Sequence, residues 1–389
     1  MYALASQRSL DGCELVAIKG DGKDMRIAQV VPLQVAVPPH KYGGTERVVY
    51  NLTEALVTLG HDVTLFATGD SRTSAKLAPG LDRAINFDPA VDAYAHHIAF
   101  LKEVYAHADE FDVIHSHLDF MTGPFAAMTR TPTVLTLHGR LDQPEYSRVF
   151  NAFPEINYVS ISDSQRRDVP DLHWVATVHH GVDVASFDFY PNPGEYLCFV
   201  GRISPEKRPD RAIEIAKRAG IPLKIAAKVD PKDEKYFHRE IEPLMNHPLI
   251  EYLGQVDERR KRELMGNAMA LVLPIDWPEP FGMVFIEALA CGTPVLTCPL
   301  GSVPELLRDG VTGCVRCTVD DLVAAVKELP KISRRGCRRY AEKRFDTRRM
   351  ALEYVNVYSR VQGRRALFAR PETATPAVGA NHVEEVALP

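Results

Sequence analysis

Apolar residues fall into two recurring rhythms along this chain. After Arg26, the run Ile27-Ala28-Gln29-Val30-Val31 is nearly continuous in apolar character, as in a strand covered on both faces. Pro38 to Gly44 can continue neither strand nor helix. Thr45 then stands where it would cap a helix whose Val48, Val49, Leu52, Leu56 and Leu59 recur at helical spacing. Gly60 ends that helix, and His61–Ala67 reads as a second strand. Strand, glycine loop, helix, strand is the pattern of a right-handed parallel unit. Val113–His115, Thr133–Leu137 and Tyr158–Ile161 are further short strands, apolar or β-branched on both faces. Between them, Asp70–Ala95 and Arg140–Phe153 read as variable loops.

The rhythm lapses at Phe189-Tyr190-Pro191-Asn192-Pro193-Gly194 and restarts with a strand at Tyr196–Val200, which predicts a domain boundary. The second half repeats the first: helix Asp210–Ala219, strand Leu223–Ala227, a helix near Lys232–Met245 and strand Ile250–Tyr252. Helix Arg259–Asn267, strand Ala270–Leu273, helix Phe285–Ala290 and strand Pro294–Thr297 follow. The pattern thus divides the chain into an N-terminal extension (1–24), a first doubly wound domain (25–190) and a second (191–345). A C-terminal helix (346–366) returns toward the first domain, with Met350, Leu352, Tyr354, Val355 and Tyr358 on its apolar side. A Pro/Ala/Thr-rich tail (367–389) is expected to be disordered. No sequence repeat links the halves, so their similarity is architectural.

Composition narrows the functional classes. The 389 residues, 46% hydrophobic and 25% charged, suit two globular domains. A net charge of −5 supplies no general field for nucleic acid, so any anionic ligand must be held locally. No apolar run is long enough for a transmembrane segment and the first residues lack a secretory pattern, which predicts a cytoplasmic protein. Seven cysteines, an odd number without scaffold spacing, fit reduced thiols. The lone Cys314/Cys317 pair lacks the partners a zinc site would need, and no metal is expected.

Three stretches carry chemistry. Tyr42-Gly43-Gly44-Thr45 lies between the first strand and first helix, where bare backbone can approach an anion beside helix N–H groups. By itself a glycine pair is more often only a turn. Phe199-Val200-Gly201-Arg202 through Lys207 places two cations at the carboxyl edge of the second sheet: Arg202 can fork onto phosphate oxygens and Lys207 can supply a point charge. Pro278–Leu296 brackets a Phe281-Gly282 loop between two carboxylates, Glu279 and Glu287, eight positions apart. Glu279 precedes the helix and Glu287 lies in its early turns, with the N–H groups of Gly282, Met283 and Val284 between them.

With these elements in order, the chain resembles the family-4 retaining glycosyltransferases of GT-B fold, from about Met25 to Gln362. Gly60-His61-Asp62-Val63, Asp112 to His117, Leu137-His138-Gly139, His180-Gly181-Val182-Asp183 and Gly301 to Glu305 complete the series. The resemblance implies an α/β architecture of two Rossmann-like, doubly wound parallel-sheet domains facing a cleft. It implies that Glu287 binds the donor ribose, Glu279 contacts the transferred sugar, and Arg202 and Lys207 hold the diphosphate. Gly43 and Gly44 would lie against the same phosphates, His138 would reach the donor sugar, and Phe281 to Val284 would line the donor site. His180 stands where the family usually has Asn, and Ala226-Ala227-Lys228 where a glycine-containing turn is usual. His115 and His117 point the same way along one strand and are expected to line the cleft or serve structure.

The implied reaction moves a sugar from a nucleotide diphosphate sugar to an acceptor hydroxyl with retention and without a metal or other cofactor. The acceptor could be a sugar, a lipid-linked molecule or a small molecule. A sugar-nucleotide 2-epimerase of the same fold would turn over donor with no acceptor present, and a non-catalytic nucleotide-sugar binder would do neither. A nicotinamide-dependent dehydrogenase is disfavoured, because no strand is followed by GxGxxG with an acidic residue downstream.

Overall fold

A computed structural model describes residues 24–39 and 43–368. Tyr42, the expected extension up to residue 23 and the expected tail from residue 369 lie outside them. Among the described residues, thirteen strands form two parallel sheets. The first contains β1 (Arg26–Val30), β2 (Asp62–Thr68), β3 (Lys76–Leu81), β4 (Val113–Ser116), β5 (Thr133–Thr136), β6 (Asn157–Ser160) and β7 (Trp174–Thr177). The second contains β8 (Leu197–Ile203), β9 (Leu223–Val229), β10 (Ile250–Gly254), β11 (Ala270–Leu273), β12 (Val295–Thr297) and β13 (Gly313–Val315).

Strand order is β3-β2-β1-β4-β5-β6-β7 in one sheet and β10-β9-β8-β11-β12-β13 in the other. In each, the chain first winds outward from its opening strand, then returns to that strand's other side. The order therefore reverses between β1 and β4 and again between β8 and β11, and at such a reversal neighbouring crossovers part to leave a crevice at the strand carboxyl ends. Every strand pair is parallel, which agrees with Ile27, Ala28, Val30, Leu197, Phe199 and Leu271 being fully buried on both sheet faces.

Several expectations need correction. The expected loop Asp70–Ala95 contains β3, an edge strand paired with β2 and disguised by Pro79 and Gly80. Gly80 is needed there because a Cβ would meet the Phe100 ring at 2.3 Å. Arg140–Phe153 contains helix Pro144–Asn151, β7 follows at the far edge, and β13 is only three residues long. The region expected as one helix near Lys232–Met245 is a succession of short α and π turns. Thr45 does not cap the first helix: that helix runs Gly44–Thr58, its N-cap residue is Gly43, and no side chain bonds the first turn.

Helix Thr347–Phe368 packs onto the first sheet. Met350, Tyr354, Val357, Tyr358 and Val361 join Ile27, Val48, Leu52, Val113 and Val134 in one apolar cluster. Val357 and Val361 replace the expected Leu352, which is exposed.

Candidate active site

The carboxyl ends of both sheets face one cleft of about 530 Å³. All eleven sequence-nominated residues line it: Gly43, Gly44, His138, Arg202, Lys207, Glu279, Phe281, Gly282, Met283, Val284 and Glu287. They reach it from four chain segments spread over some 245 residues, and the crevices at the two strand-order reversals bring them together.

On the first-domain side, Gly43 has no room for a side chain, since a Cβ would lie 2.7 Å from Pro39 Cβ. A Cβ on Gly44 would meet nothing within 4 Å, so its bareness leaves open space in the cleft. Glu46, in the first turn of the same helix, is buried, and burial raises its carboxyl above the usual range. Sequence reading gave this residue no role of its own.

On the second-domain side, Arg202 extends from β8 between two carboxylates, Glu206 Oε1 at 3.1 Å and Asp230 Oδ2 at 3.2 Å. Lys207 pairs with Glu279, which also accepts from the Trp277 indole N–H at 3.0 Å. The Lys207 ammonium lies 5.3 Å from the centre of the Trp277 ring, within cation–π range. Both cations thus have carboxylate partners that a bound anion could exchange. Glu279 itself is held by backbone: Ser302 N–H donates to its carbonyl at 2.9 Å, and the chain passes so close that a Cβ on Gly301 would meet Glu279 N at 2.3 Å. Gly301 also has φ +60°, a second reason for glycine.

Gly282, with φ 84°, turns the chain into helix Met283–Ala290, whose first N–H groups are free of intrahelical partners by geometry. One turn on, Glu287 is almost fully buried and meets Lys261 Nζ at 3.0 and 2.9 Å. Lys261, on helix Glu258–Gly266, also pairs with Glu258 at 3.0 Å, and Glu258 with Arg47 of the first domain at 3.2 Å. An ionic chain therefore connects the glycine-loop helix to Glu287. Neither Lys261 nor Arg47 carried a local motif, and only the facing helices reveal them.

Two further contacts join the domains at the rim. Glu305 accepts from the Asp163 and Ser164 N–H groups at 2.8 Å each and lies 3.1 Å from His179 Nε2. The Arg140 guanidinium sits 5.6 Å from the Trp277 ring centre.

His138 closes the cleft floor. Its ring stacks on His180 with centroids 5.2 Å apart, and burial holds its pKa down to about 3. His115, His117 and His180 are driven well below the usual histidine value, first by burial and then by the other histidines. Among the described residues, no group of three or more His, Cys, Asp or Glu is arranged to hold a metal ion.

Comparison with known proteins now gives this geometry its family. The profile described as "Glycosyltransferase Family 4" matches residues 42–186, and "Glycosyl transferases group 1" matches residues 189–344. Between them they span both domains. The chain belongs to the family-4 GT-B glycosyltransferases. It is 28% identical over 331 residues to a phosphatidyl-myo-inositol mannosyltransferase of Mycolicibacterium smegmatis, covering 74% of this chain and 80% of that protein. It is 27% identical over 387 residues to a glycogen synthase of Mycobacterium tuberculosis, covering 82% and 92%. Among solved structures, sucrose-phosphate synthase of Thermosynechococcus elongatus matches with TM-score 0.71 at 18% identity, over 87% of this chain and all of that one. HepE of Anabaena in complex with UDP-glucose matches with TM-score 0.66 at 17% identity, over 86% of this chain and all of that one. These two show the shared fold. This GT-B glycosyltransferase has, among its described residues, no helix long and apolar enough to cross a membrane.

Proposed function

We propose that this glycosyltransferase moves a sugar from a nucleotide diphosphate sugar to an acceptor hydroxyl with retention at the anomeric carbon and without a metal. The observation that carries the reading is the convergence of Arg202, Lys207 and the bare Gly43-Gly44 backbone on one cleft, with both cations paired to exchangeable carboxylates. A diphosphate entering there draws Lys207 away from Glu279. Glu279 is then left to face the sugar ring, where positive character develops as the C1–O bond to the diphosphate breaks. The acceptor oxygen bonds C1 on the same face, and its proton passes to the departing phosphate oxygen. Glu287, positioned by Lys261, takes the ribose. The solved relative with UDP-glucose supports a nucleotide-sugar donor. The acceptor is a hydroxyl-bearing sugar, lipid-linked molecule or small molecule. The six described cysteines are free thiols, which fits a cytoplasmic, reducing setting.

The two glutamates separate the roles. Glu287→Gln weakens a contact present before and during reaction, so donor KM is expected to rise by about 1–3 kcal/mol, roughly 5- to 150-fold, at near-constant kcat. Glu279→Gln removes charge that matters most in the transition state, and kcat is expected to fall about 100-fold or more. Steady-state kinetics on the best donor from a thermal-shift panel of UDP-, GDP- and ADP-sugars reads both. The opposite assignment of KM and kcat effects would reverse the two roles, and two silent variants would sink the proposal.

Metal independence has its own check. Transfer is expected to persist in excess EDTA, because Arg202 and Lys207 meet the leaving-group charge. Complete loss restored by Mn²⁺ or Mg²⁺ would overturn it.

A further inference from the structure

Behind the cleft, buried polar groups form one unbroken chain of hydrogen bonds. His138 Nε2 lies 2.8 Å from His117 Nδ1, and His117 Nε2 lies 3.0 Å from Gln29 Oε1. Gln29 Nε2 donates to the Tyr358 hydroxyl at 3.2 Å, and that hydroxyl lies 2.7 Å from His115 Nδ1. His115 Nε2 is 2.7 Å from Thr136 Oγ1, which is 2.9 Å from the Tyr354 hydroxyl. The chain runs from the cleft to the C-terminal helix, and Gln29, His115, Thr136, Tyr354 and Tyr358 are all completely or almost completely buried.

The chemistry of its members gives the chain a direction. A carbonyl oxygen only accepts, so Gln29 Oε1 requires a proton on His117 Nε2. A neutral imidazole has one N–H, and burial keeps His117 neutral. His117 Nδ1 is therefore an acceptor, and His138 donates to it from Nε2. A neutral His138 then has a bare Nδ1, and this buried nitrogen has no hydrogen-bond partner. On the other side of Gln29, Tyr358 accepts from the amide and donates to His115 Nδ1, so His115 donates from Nε2 to Thr136. Every donor points away from the cleft. Turning the Gln29 amide over would reverse every donor and leave His138 with a buried N–H lacking an acceptor. Orphaned buried N–H groups are rarer than under-used acceptors.

We propose that Gln29 and His117 are positioning residues that hold His138 as its Nε2–H tautomer, so that the cleft histidine offers a bare Nδ1 as a hydrogen-bond acceptor. Resting on the glycosyl-transfer reading above, the group it accepts from is a hydroxyl of the transferred sugar. The C-terminal helix takes part through Tyr358, which orients the Gln29 amide.

Long-range ¹H–¹⁵N correlation spectra of the full-length protein labelled with ¹⁵N-histidine test this, with the His138 signals assigned by their absence in His138→Ala. The expected wild-type pattern is an unprotonated Nδ1 and a protonated Nε2. Gln29→Met keeps the side-chain length and removes the amide; a share of molecules is then expected to carry the proton on Nδ1. Tyr358→Phe, which leaves the amide nitrogen only its longer 3.4 Å contact with His115 Nδ1, is expected to act in the same direction and serves if Gln29→Met does not fold. A protonated Nδ1 in the wild type, or a tautomer indifferent to both substitutions, would overturn the proposal. Titration with UDP-glucose, GDP-mannose, ADP-glucose and the bare diphosphates then separates the two claims. A shift of Nδ1 with a nucleotide sugar but not its diphosphate supports the sugar contact. A redistributed tautomer in the variants, with no Nδ1 response to any nucleotide sugar that binds, upholds the positioning role and sinks the sugar contact.

Discussion

Lys207→Met is expected to lower kcat/KM for sugar transfer by about 10²–10³-fold, the usual consequence of deleting one charge-stabilising donor aimed at a leaving group. Methionine keeps an unbranched apolar side chain and removes the ammonium that lies over Trp277. The same change leaves Glu279, 8% exposed, without its cationic partner, so stability is expected to fall as well. The double variant Lys207→Met/Glu279→Gln distinguishes these effects. Removing both charges should recover much of the lost stability, because no unpaired carboxylate stays buried, while transfer stays low. Lys207→Arg should recover part of the activity, since the charge returns on a bulkier head group. Initial rates beside urea unfolding curves provide the comparison. A folded Lys207→Met enzyme with wild-type kcat/KM would remove Lys207 from the phosphate site.

Acidification from pH 7 to pH 5 is expected to destabilise the fold far more than its surface charge would suggest. His115, His117, His138 and His180 all have pKa values lowered in the folded state, with burial the first cause. Below the ordinary histidine value of about 6.5 the unfolded chain takes up protons that the folded chain refuses, so stability falls as pH falls. For His138, held to about 3, the loss at pH 5 is about 2 kcal/mol. The other three histidines, the partly buried His61 and the buried His97 act in the same direction. Glu46, whose carboxyl is raised by burial, works the other way at the acid end of this window. Carboxylates with lowered values, such as Glu258 and Glu305, lose their contribution only at still lower pH. Urea unfolding at the two pH values measures the slope. His180→Asn should reduce it, since one refused proton is removed. Stability that stays flat between pH 7 and pH 5 would show that these rings take up protons in the folded protein.

The local parts of this enzyme were legible in its sequence. Alternating apolar runs and helical spacing mark most of both sheets, because a strand covered on two faces needs apolar side chains at every position. The Gly43-Gly44 loop, the Arg202 to Lys207 stretch and the Glu279 to Glu287 stretch each compress their chemistry into ten residues or fewer. Residues that close in sequence keep their relation through any fold, so their pattern survives without knowledge of the rest. Where local signals were weak or contradictory, reading failed: Pro79 and Gly80 hid β3, a short strand opening on Gly313 left β13 unmarked, and Thr45 occupied a capping position that the chain gave to Gly43.

What only the tertiary structure decided is every relation between distant segments. Gln29 and Tyr358 are 329 positions apart, Lys207 and Glu279 are 72 apart, and Lys261 reaches Glu287 from a helix of its own. Sequence alone named His138 but could not tell which nitrogen holds its proton, because that depends on a glutamine in the first strand and a tyrosine in the last helix. It named Arg202 and Lys207 as cations but not their partners, since Glu206, Asp230 and Glu279 become partners only when β8, β9 and the loop after β11 end at the same sheet edge. Hydrogen bonds and ion pairs act over a few ångströms, and only folding sets which residues come that close.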